Sequence, residues 1–469
     1  MKTSLGREAT RVIAARLEKA NSAFARRFPG QTGRRQPVHT VYGGAHLFRA
    51  DIACRLGSAA RRALEKYAPD YAVFARAIGL LGDEKLPKRA QRVRARAGSE
   101  PQSLAQTIYS RVVAKLEREP VEDFRIDFED GYGNRPDAEE DGHATVAAEE
   151  IARGMAENLL SPFVGIRIKS LNEELRERSL RTLDIFVSTL SEKTGGKLPK
   201  NFFITLPKVT IPHHVAALAD VFDQLEPAAG LAPGSLHMEL MIETTQSILN
   251  ERGESTLPRL VDAARGRCVA AHFGTYDYTA SCNITAAHQH MTHPACDFAR
   301  QMMQVALGGT SIWLSDGSTN ILPVPVHRAA EGGPPLTPRQ VEENHAVVHR
   351  AWKLHYDHIQ HSLINAFYQG WDLHPAQLPT RYAAVYAFFL EGLDAAAERL
   401  KNFVARAAQT TLVGEVFDDA ATGQGLLNYF LRAINCGAVS EEETVSRTGL
   451  TWPELRSRSF VKILNSRTK

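Results

Sequence analysis

The sequence has 469 residues, of which 43% are hydrophobic and 23% are charged, proportions typical of a globular protein. Its 56 lysines and arginines nearly balance its 53 aspartates and glutamates, so the formal net charge is only +3. This composition excludes a disordered, fibrous or membrane protein, and it argues against general attraction to nucleic acids or membranes. Five cysteines without a C-x-x-C pair fit a reducing compartment, so we expect the protein in the cytoplasm.

The chain begins with an amphipathic, arginine-rich stretch, which predicts an N-terminal helix within residues 1–36. Short apolar runs follow, and each is predicted to form a strand. They begin at Pro37, Phe124, Phe163, Asn201, His237, Cys268, Asn320 and Gly370. Amphipathic helical stretches separate these runs, which is typical of a parallel sheet built from strand–helix units.

Eight such units predict a TIM, or (β/α)8, barrel over residues 37–380. A doubly wound sheet is the alternative. The sequence has no glycine-rich turn between a strand and a helix that would bind a dinucleotide, and this favours the barrel. In a barrel, chemistry takes place where the strands end, so the residues at those ends are the first candidates for a functional site.

Two segments do not fit the regular spacing. Residues 45–122 are predicted to form a helical insertion after the first strand, and residues 381–469 a C-terminal helical cap domain. The insertion carries a basic run over residues 85–96, which is most simply a solvated helix face. A site for a phosphorylated ligand or for RNA is the alternative for this run.

Two acids at the ends of neighbouring strands are the candidate metal ligands. Glu243 ends the fifth predicted strand, and Asp277 follows the sixth, with Gly274 between them allowing the backbone to approach closely. Two carboxylates can hold Mg²⁺, or Mn²⁺ in its place, and leave positions open for water and substrate. The simpler alternative is that each acid caps a helix or pairs with an arginine.

A second group of charged residues is predicted at the same end of the barrel. Arg167 alternates with two isoleucines on the third strand, and Glu129 and Asp130 end the second strand. Arg167 is suited to hold a substrate carboxylate or enolate oxygen, although it could simply form a buried pair with Glu129 or Asp130. His46 follows two glycines at the end of the first strand, where a residue can face a ligand.

Six segments together resemble one known family. IDFEDGYG, GIRIKSL, TLPKV, MIET, FGTYDYTAS and GWDLHPAQL are similar, in the same order, to the segments DLEDAV, VRIN, LPKVE, IET, FGxxDxxA and IHPxQ of the citrate lyase β-subunit/HpcH–HpaI aldolase/malate synthase superfamily. The resemblance covers roughly residues 120–380. It implies a TIM barrel in which Glu243 and Asp277 hold Mg²⁺ and Arg167 contacts a substrate that reacts through a metal-bound enolate.

The C-terminal segment EVFDDAATGQGLLNYFLRAINCG resembles the end of malate synthases. That resemblance implies that Asp419 is a catalytic base on a cap above the barrel mouth. The sequence departs from the family pattern at Lys169, Thr210 and Thr245, where the family has asparagine, glutamate and proline. These departures leave the two metal-binding acids in place and bear on the identity of the substrate.

The resulting hypothesis is a Mg²⁺-dependent carbon–carbon lyase or aldolase that acts on a small hydroxy acid or its CoA thioester. The alternative is a malate-synthase-like condensing enzyme that joins an acyl-CoA to a 2-oxo acid with Asp419 as base. A third hypothesis is a non-catalytic protein that binds RNA through the basic run. We expect small-molecule partners and a homo-oligomer, with no nucleic acid or membrane partner.

Overall fold

The computed structural model of the protein describes residues 4–30, 33–80, 103–405, 411–413, 416–418 and 420–467. Within these residues, eight parallel strands close into a barrel in chain order, with β8 pairing beside β1. The strands are β1 (His39–Gly44), β2 (Asp123–Asp127), β3 (Phe163–Arg167), β4 (Phe202–Leu206), β5 (His237–Ile242), β6 (Cys268–Phe273), β7 (Trp313–Ser318) and β8 (Gln369–Asp372). The predicted TIM barrel is therefore confirmed.

Helices surround the barrel and extend from both ends of the chain. They are α1 (Arg7–Arg27), α2 (Ile52–Tyr67), α3 (Tyr71–Ile78), α4 (Leu104–Arg118), α5 (Asp137–Glu157), α6 (Arg176–Thr194), α7 (Pro212–Ala228), α8 (Thr245–Ile248), α9 (Leu257–Ala263), α10 (Thr275–Ser281), α11 (Pro294–Leu307), α12 (Pro338–Ile364), α13 (Leu378–Leu390), α14 (Leu393–Ala405), α15 (Ala420–Asn435), α16 (Glu441–Thr448), α17 (Trp452–Ser457) and α18 (Phe460–Arg467). A short antiparallel pair, β9 (Thr411–Val413) and β10 (Val416–Asp418), precedes α15. Of the helices described, none is both long and apolar enough to cross a bilayer.

The seventh strand lies earlier in the chain than the sequence predicts. The apolar run from Asn320 is a loop, and β7 is formed by the more polar Trp313–Ser318. Pro323 and Pro325 have no backbone N–H to donate to a neighbouring strand, so that run is unsuited to the middle of a sheet. The acidic residue Asp316 is tolerated within β7 because it has an ion-pair partner: Arg300 Nη1, on α11, lies 3.0 Å from Asp316 Oδ1.

A buried polar network fixes the interior of the barrel below its mouth. Arg125 on β2 donates two hydrogen bonds to Glu239 on β5, of 2.7 and 2.9 Å, and pairs with Asp123. Thr205 on β4 donates to the same glutamate at 2.9 Å. Because a buried charge without a partner costs several kcal/mol, these contacts hold the three strands in one arrangement.

The described part of the insertion is helical, as predicted, and consists of α2, α3 and α4. Helix α4 packs against α13 and α2, so the insertion belongs to the outer layer of the barrel. Helix α13 crosses the predicted domain boundary at residue 380 and is almost entirely buried. The basic run over residues 85–96 lies outside the described residues.

The C-terminal helices α14 to α18 pack on one another, and α15 connects them to the barrel. Asn435 Oδ1 accepts a 3.1 Å hydrogen bond from the backbone N–H of Gln36, just before β1, and Arg432 donates to the Gln36 side chain. Gln36 in turn donates to the carbonyl of Leu314, near the start of β7. These contacts lie at the amino-terminal end of the barrel. The C-terminal part of α15 therefore contacts the end of the barrel opposite the mouth, and a cap over the mouth stays a prediction.

Candidate active site

The carboxyl ends of the strands bring the predicted charged residues together. Arg167 is the last residue of β3, Glu243 follows β5 directly, and Asp277 lies in the first turn of α10 after β6. Glu129 and Asp130 lie two and three residues beyond β2. This end of a TIM barrel is where loops of different strands combine into a site.

Arg167 is held by a partner that the sequence does not single out. Its Nε and Nη2 donate to the two carboxylate oxygens of Asp127, at 2.7 and 2.5 Å, in a bidentate pair between β3 and β2. Its Nη1 lies 3.1 Å from Glu129 Oε2 and 3.7 Å from Asp130 Oδ2. Asp127 therefore fixes the plane of the guanidinium, and Nη1 is directed towards the acids of the mouth.

Two aromatic side chains flank the same guanidinium. The centre of Arg167 lies 4.7 Å from the ring of Tyr42 on β1 and 5.8 Å from the ring of Trp371 on β8. The Tyr42 hydroxyl and the Trp371 indole N–H are both buried, and neither has a hydrogen-bond partner among the described residues. Since a buried polar group without a partner costs free energy, these two groups are suited to bind a ligand.

Lys208 connects the acids of the mouth. It follows β4 with a left-handed backbone, φ 49°, which is uncommon for a residue other than glycine. Its ammonium group contacts Glu129, lies 3.2 Å from Asp130 Oδ1, and lies 3.8 Å from Asp277 Oδ1. Although burial opposes the shift, Glu129 raises the pKa of Lys208 well above its ordinary value, so the group is a fixed positive charge.

Glu243 is a buried acid of the mouth, with 2% of its surface exposed. Its Oε1 accepts a 2.6 Å hydrogen bond from the backbone N–H of Lys208. Burial and the nearby charge of Asp277 raise the pKa of Glu243 to about 8. Gly274 makes room for this side chain, because a Cβ at that position would lie 2.6 Å from Glu243 Cβ.

The charges of the mouth are unbalanced. Four carboxylates, those of Asp127, Glu129, Asp130 and Asp277, lie within ion-pair distance of two cationic side chains, those of Arg167 and Lys208. A fifth acid, Glu243, accepts a hydrogen bond from the backbone N–H of Lys208. Burial also raises the pKa values of Glu129 and Asp277, as expected where acids crowd together. This cluster fits an added cation.

The donor chemistry fits a hard divalent cation. Glu243 and Asp277 present carboxylate oxygens, and Asp277 is partly open to solvent, with 41% of its side chain exposed. Among the described residues, no three or more His, Cys, Asp or Glu side chains form a complete metal site. A pair of acids is nevertheless what Mg²⁺ uses when water and substrate supply the remaining ligands.

His46 points towards another part of the mouth. It lies in a 3₁₀ turn, Ala45–Leu47, and its ring packs 5.7 Å from that of Tyr132 and 6.1 Å from that of His143. Burial lowers the pKa of His46, and its Nδ1 is buried without a hydrogen-bond partner. Its role in ligand binding stays a prediction.

Lys169, which replaces the family's asparagine, has a structural partner. Its ammonium group donates to the carbonyl of Phe128 at 2.6 Å and lies 2.9 Å from Glu140 on α5. The substitution thus adds a buried ion pair that ties α5 to the end of β3. Asp419, the predicted base, lies outside the described residues.

Three residues of this site, Lys208, Tyr42 and Trp371, were not predicted from the sequence, and Asp127 was predicted to share a face with Glu129 but not to pair with Arg167. All four lie in or next to strands that were predicted, and Asp127 shares the alternation of Glu129. Their positions in or beside predicted strands could therefore have suggested them. The sequence does not show, however, that Tyr42 and Trp371 contact each other where β1 pairs with β8.

The closed barrel of eight parallel strands is a TIM barrel, the fold that the motifs imply. The citrate lyase of Burkholderia xenovorans LB400 superimposes with a TM-score of 0.51 at 17% identity, covering 76% of this chain and 98% of that chain. This likeness shows the fold. The family model described as "Domain of unknown function (DUF6986)" matches residues 17–463, so the chain belongs to that family.

Weaker structural similarity extends to malate synthase of Haloferax volcanii. Its pyruvate/acetyl-CoA ternary complex matches with a TM-score of 0.42 at 16% identity, over 78% of this chain and 95% of that one. Its native form at 3 mM glyoxylate matches with a TM-score of 0.44 at 14% identity, over 92% of this chain and 99% of that one. No curated protein matches the sequence significantly.

Proposed function

We propose that the protein is a Mg²⁺-dependent carbon–carbon lyase or aldolase that acts on a small hydroxy acid or its CoA thioester. The observation that carries this proposal is the excess of acids at the barrel mouth, where four carboxylates share the charges of Arg167 and Lys208 and Glu243 lies beside them. A site that only needed stability would pair these acids one to one, because unpaired buried charge is costly. An enzyme that binds a cation together with its substrate requires the excess.

Glu243 and Asp277 would hold the metal ion. When bound, Mg²⁺ or Mn²⁺ supplies positive charge that polarises a substrate carbonyl and stabilises negative charge on its oxygen. The backbone N–H of Lys208 orients Glu243 through the 2.6 Å hydrogen bond. The Lys208 ammonium group keeps Asp130 and Asp277 close together without closing the site.

Arg167 would bind and orient the substrate. Asp127 occupies its Nε and Nη2, and the remaining Nη1 can donate to a substrate carboxylate or to an oxygen on which charge develops. The aromatic rings of Tyr42 on β1 and Trp371 on β8 lie next to the guanidinium group and limit its movement. Glu129, 3.1 Å from Nη1 and with its pKa raised by burial, is placed to hold a proton beside that oxygen.

The malate-synthase-like condensing reaction is supported less well by the described residues. It requires Asp419 above the mouth, whereas α15, which begins one residue later, contacts the amino-terminal end of its own barrel. The lyase is therefore the main proposal, and the condensing enzyme is the alternative. The assay described next distinguishes the two.

The test is an assay of the full-length protein with a panel of small hydroxy acids and their CoA thioesters. We expect release of a 2-oxo acid or an acyl-CoA with Mg²⁺ and none with EDTA. Glu243→Gln and Asp277→Asn should lose activity and Mg²⁺ binding together, whereas Glu251→Gln, an exposed acid after α8, should keep both. Unchanged turnover in Glu243→Gln would refute the site. Consumption of glyoxylate that depends on acetyl-CoA would favour the condensing alternative.

A further inference from the structure

A large cavity lies at the end of the barrel opposite the candidate active site. Its volume is about 1270 Å³. The barrel contributes residues next to the amino-terminal ends of β1 and β7, including Gln36 and Trp313, and the C-terminal helices close the other side. It is therefore separated from Arg167 and Glu243 by the length of the strands, and neither residue lines it.

The acids that line the cavity are already paired. Lys115 Nζ lies 2.6 Å from Glu122 Oε1 and 2.5 Å from Glu119 Oε1, and Arg35 contacts both acids. The third acid, Glu441, lies 3.5 Å from Arg456. These pairs neutralise three of the eight basic side chains that line the cavity.

Five basic side chains remain in excess. They are Arg34, Arg118, Arg432, Arg458 and Lys462, and none has a carboxylate within ion-pair distance in the described part of the chain. They come from three separate regions of the sequence: the segment before β1, the insertion, and the C-terminal helices. Such convergence of like charges is unfavourable unless an anion is present.

Some of these side chains are held in place. The Arg34 guanidinium lies 4.9 Å from the ring of Trp313, and that of Arg432 lies 4.7 Å from the ring of Tyr368. The Nη1 of Arg432 donates to Gln36, whereas its Nε is buried without a hydrogen-bond partner. Stacked guanidinium groups keep their planar donors directed, which suits the oxygens of phosphate groups.

We propose that this cavity is a second ligand site, which binds a small molecule carrying several phosphate charges, as an oligophosphate does. The concave shape fits a bound ligand, and the excess of five cations fits a polyanion. The ligand would bridge the C-terminal helices and the barrel, because its cations come from both. The site is independent of the proposed function, since it shares no residue with the barrel mouth.

The test is calorimetric titration of the full-length protein with inorganic triphosphate in EDTA, which keeps divalent metal out of the barrel mouth. We expect saturable binding that weakens at least tenfold in the double variant Arg118→Ala/Lys462→Ala, both of which are exposed side chains. The matched control is Arg62→Ala/Lys401→Ala, which removes the same charge from two exposed positions outside the cavity. The control and Glu243→Gln should bind as the unaltered protein does.

Three outcomes would overturn the proposal: no binding of triphosphate, equal binding by the cavity variant, or an equal loss in the control. Binding of a single-stranded RNA oligomer without binding of triphosphate would also overturn it. If the double variant failed to fold, Lys462→Glu alone would replace it, with a loss of binding of at least tenfold expected again. Failure of the lyase assay would leave these outcomes unaffected, so the two proposals are tested separately.

Discussion

The backbone N–H of Lys208 donates a 2.6 Å hydrogen bond to Glu243 Oε1 from a residue whose φ is 49°. The same residue directs its ammonium group towards Glu129, Asp130 and Asp277. One residue in an uncommon conformation thus orients the buried Glu243 through its backbone and partly neutralises Glu129, Asp130 and Asp277 through its side chain. Strain at a functional site is tolerated where surrounding contacts hold it in place.

Lys208→Gly should bind Mg²⁺ about tenfold more tightly than the unaltered protein, because an ammonium group 3.8 Å from Asp277 no longer competes with the metal. Titration calorimetry without substrate measures this. Lys208→Ala serves as the control for the backbone, since it also removes the charge but keeps a Cβ in the left-handed region. The glycine variant should be about 1 kcal/mol more stable than the alanine variant. Weaker Mg²⁺ binding in both would contradict the assignment of Asp277.

The contribution of Glu243 to the stability of the metal-free protein should fall as the pH rises from 4.5 to 8, whereas buried histidines with a lowered pKa, such as His358, contribute in the opposite direction. The pKa of Glu243 is raised to about 8 from its ordinary value of 4.5, so the folded protein keeps the proton where the unfolded chain releases it. The folded state binds more protons over this window, and ionisation then costs at most about 5 kcal/mol. Thermal unfolding in EDTA of the unaltered protein and of Glu243→Gln measures this contribution as the difference between their two pH slopes.

Added Mg²⁺ should reverse most of that loss above pH 7, because it binds the ionised carboxylate in the folded state. Glu251→Gln, at an exposed position, provides the control and should retain the slope of the unaltered protein. A slope that is equal in the Glu243 variant and in the unaltered protein would show that another group is responsible.

Arg167→Ala should destabilise the fold by about 3–5 kcal/mol, since it leaves Asp127 fully buried without its partner. Removing the charge of Asp127 as well, in Arg167→Ala/Asp127→Asn, should restore part of the stability but none of the activity. Urea unfolding and the lyase assay together separate the two roles. If the single and double variants were equally unstable, the bidentate pair would not be the source of the effect.

Gly165→Ala should unfold the barrel or destabilise it by several kcal/mol, whereas Gly142→Ala should stabilise it by about 0.5–1 kcal/mol. At Gly165 on β3, a Cβ would lie 2.9 Å from the backbone carbon of Phe203 on the neighbouring strand. At Gly142 inside α5, a Cβ would meet nothing within 4 Å. Thermal unfolding of both variants compares them, and similar effects would contradict the packing at β3.

The strands were predicted correctly where the buried segment is an apolar run in the sequence. The prediction failed at β7, whose buried residues are mostly polar. Seven predicted strands overlap the observed ones, because each is an apolar run bounded by polar residues. Strand β7 was missed since its Ser315 and Asp316 are polar and are satisfied by the folded protein, with Ser362 donating a 2.6 Å hydrogen bond to Asp316. The apolar alternation after it attracted the prediction instead, although its two prolines argue against a central strand.

The sequence by itself determined the barrel and the placement of Arg167, Glu243 and Asp277 at its mouth, because both follow from which residues end each strand. The tertiary structure alone decided the pairing of Arg167 with Asp127, the bridging by Lys208 and the position of α15 at the far end. Which side chains pair depends on which loops lie next to each other once the barrel closes. Those loops are separated by tens to hundreds of residues in the sequence. A periodic pattern records which face of an element is buried, but it carries no information about what covers that face.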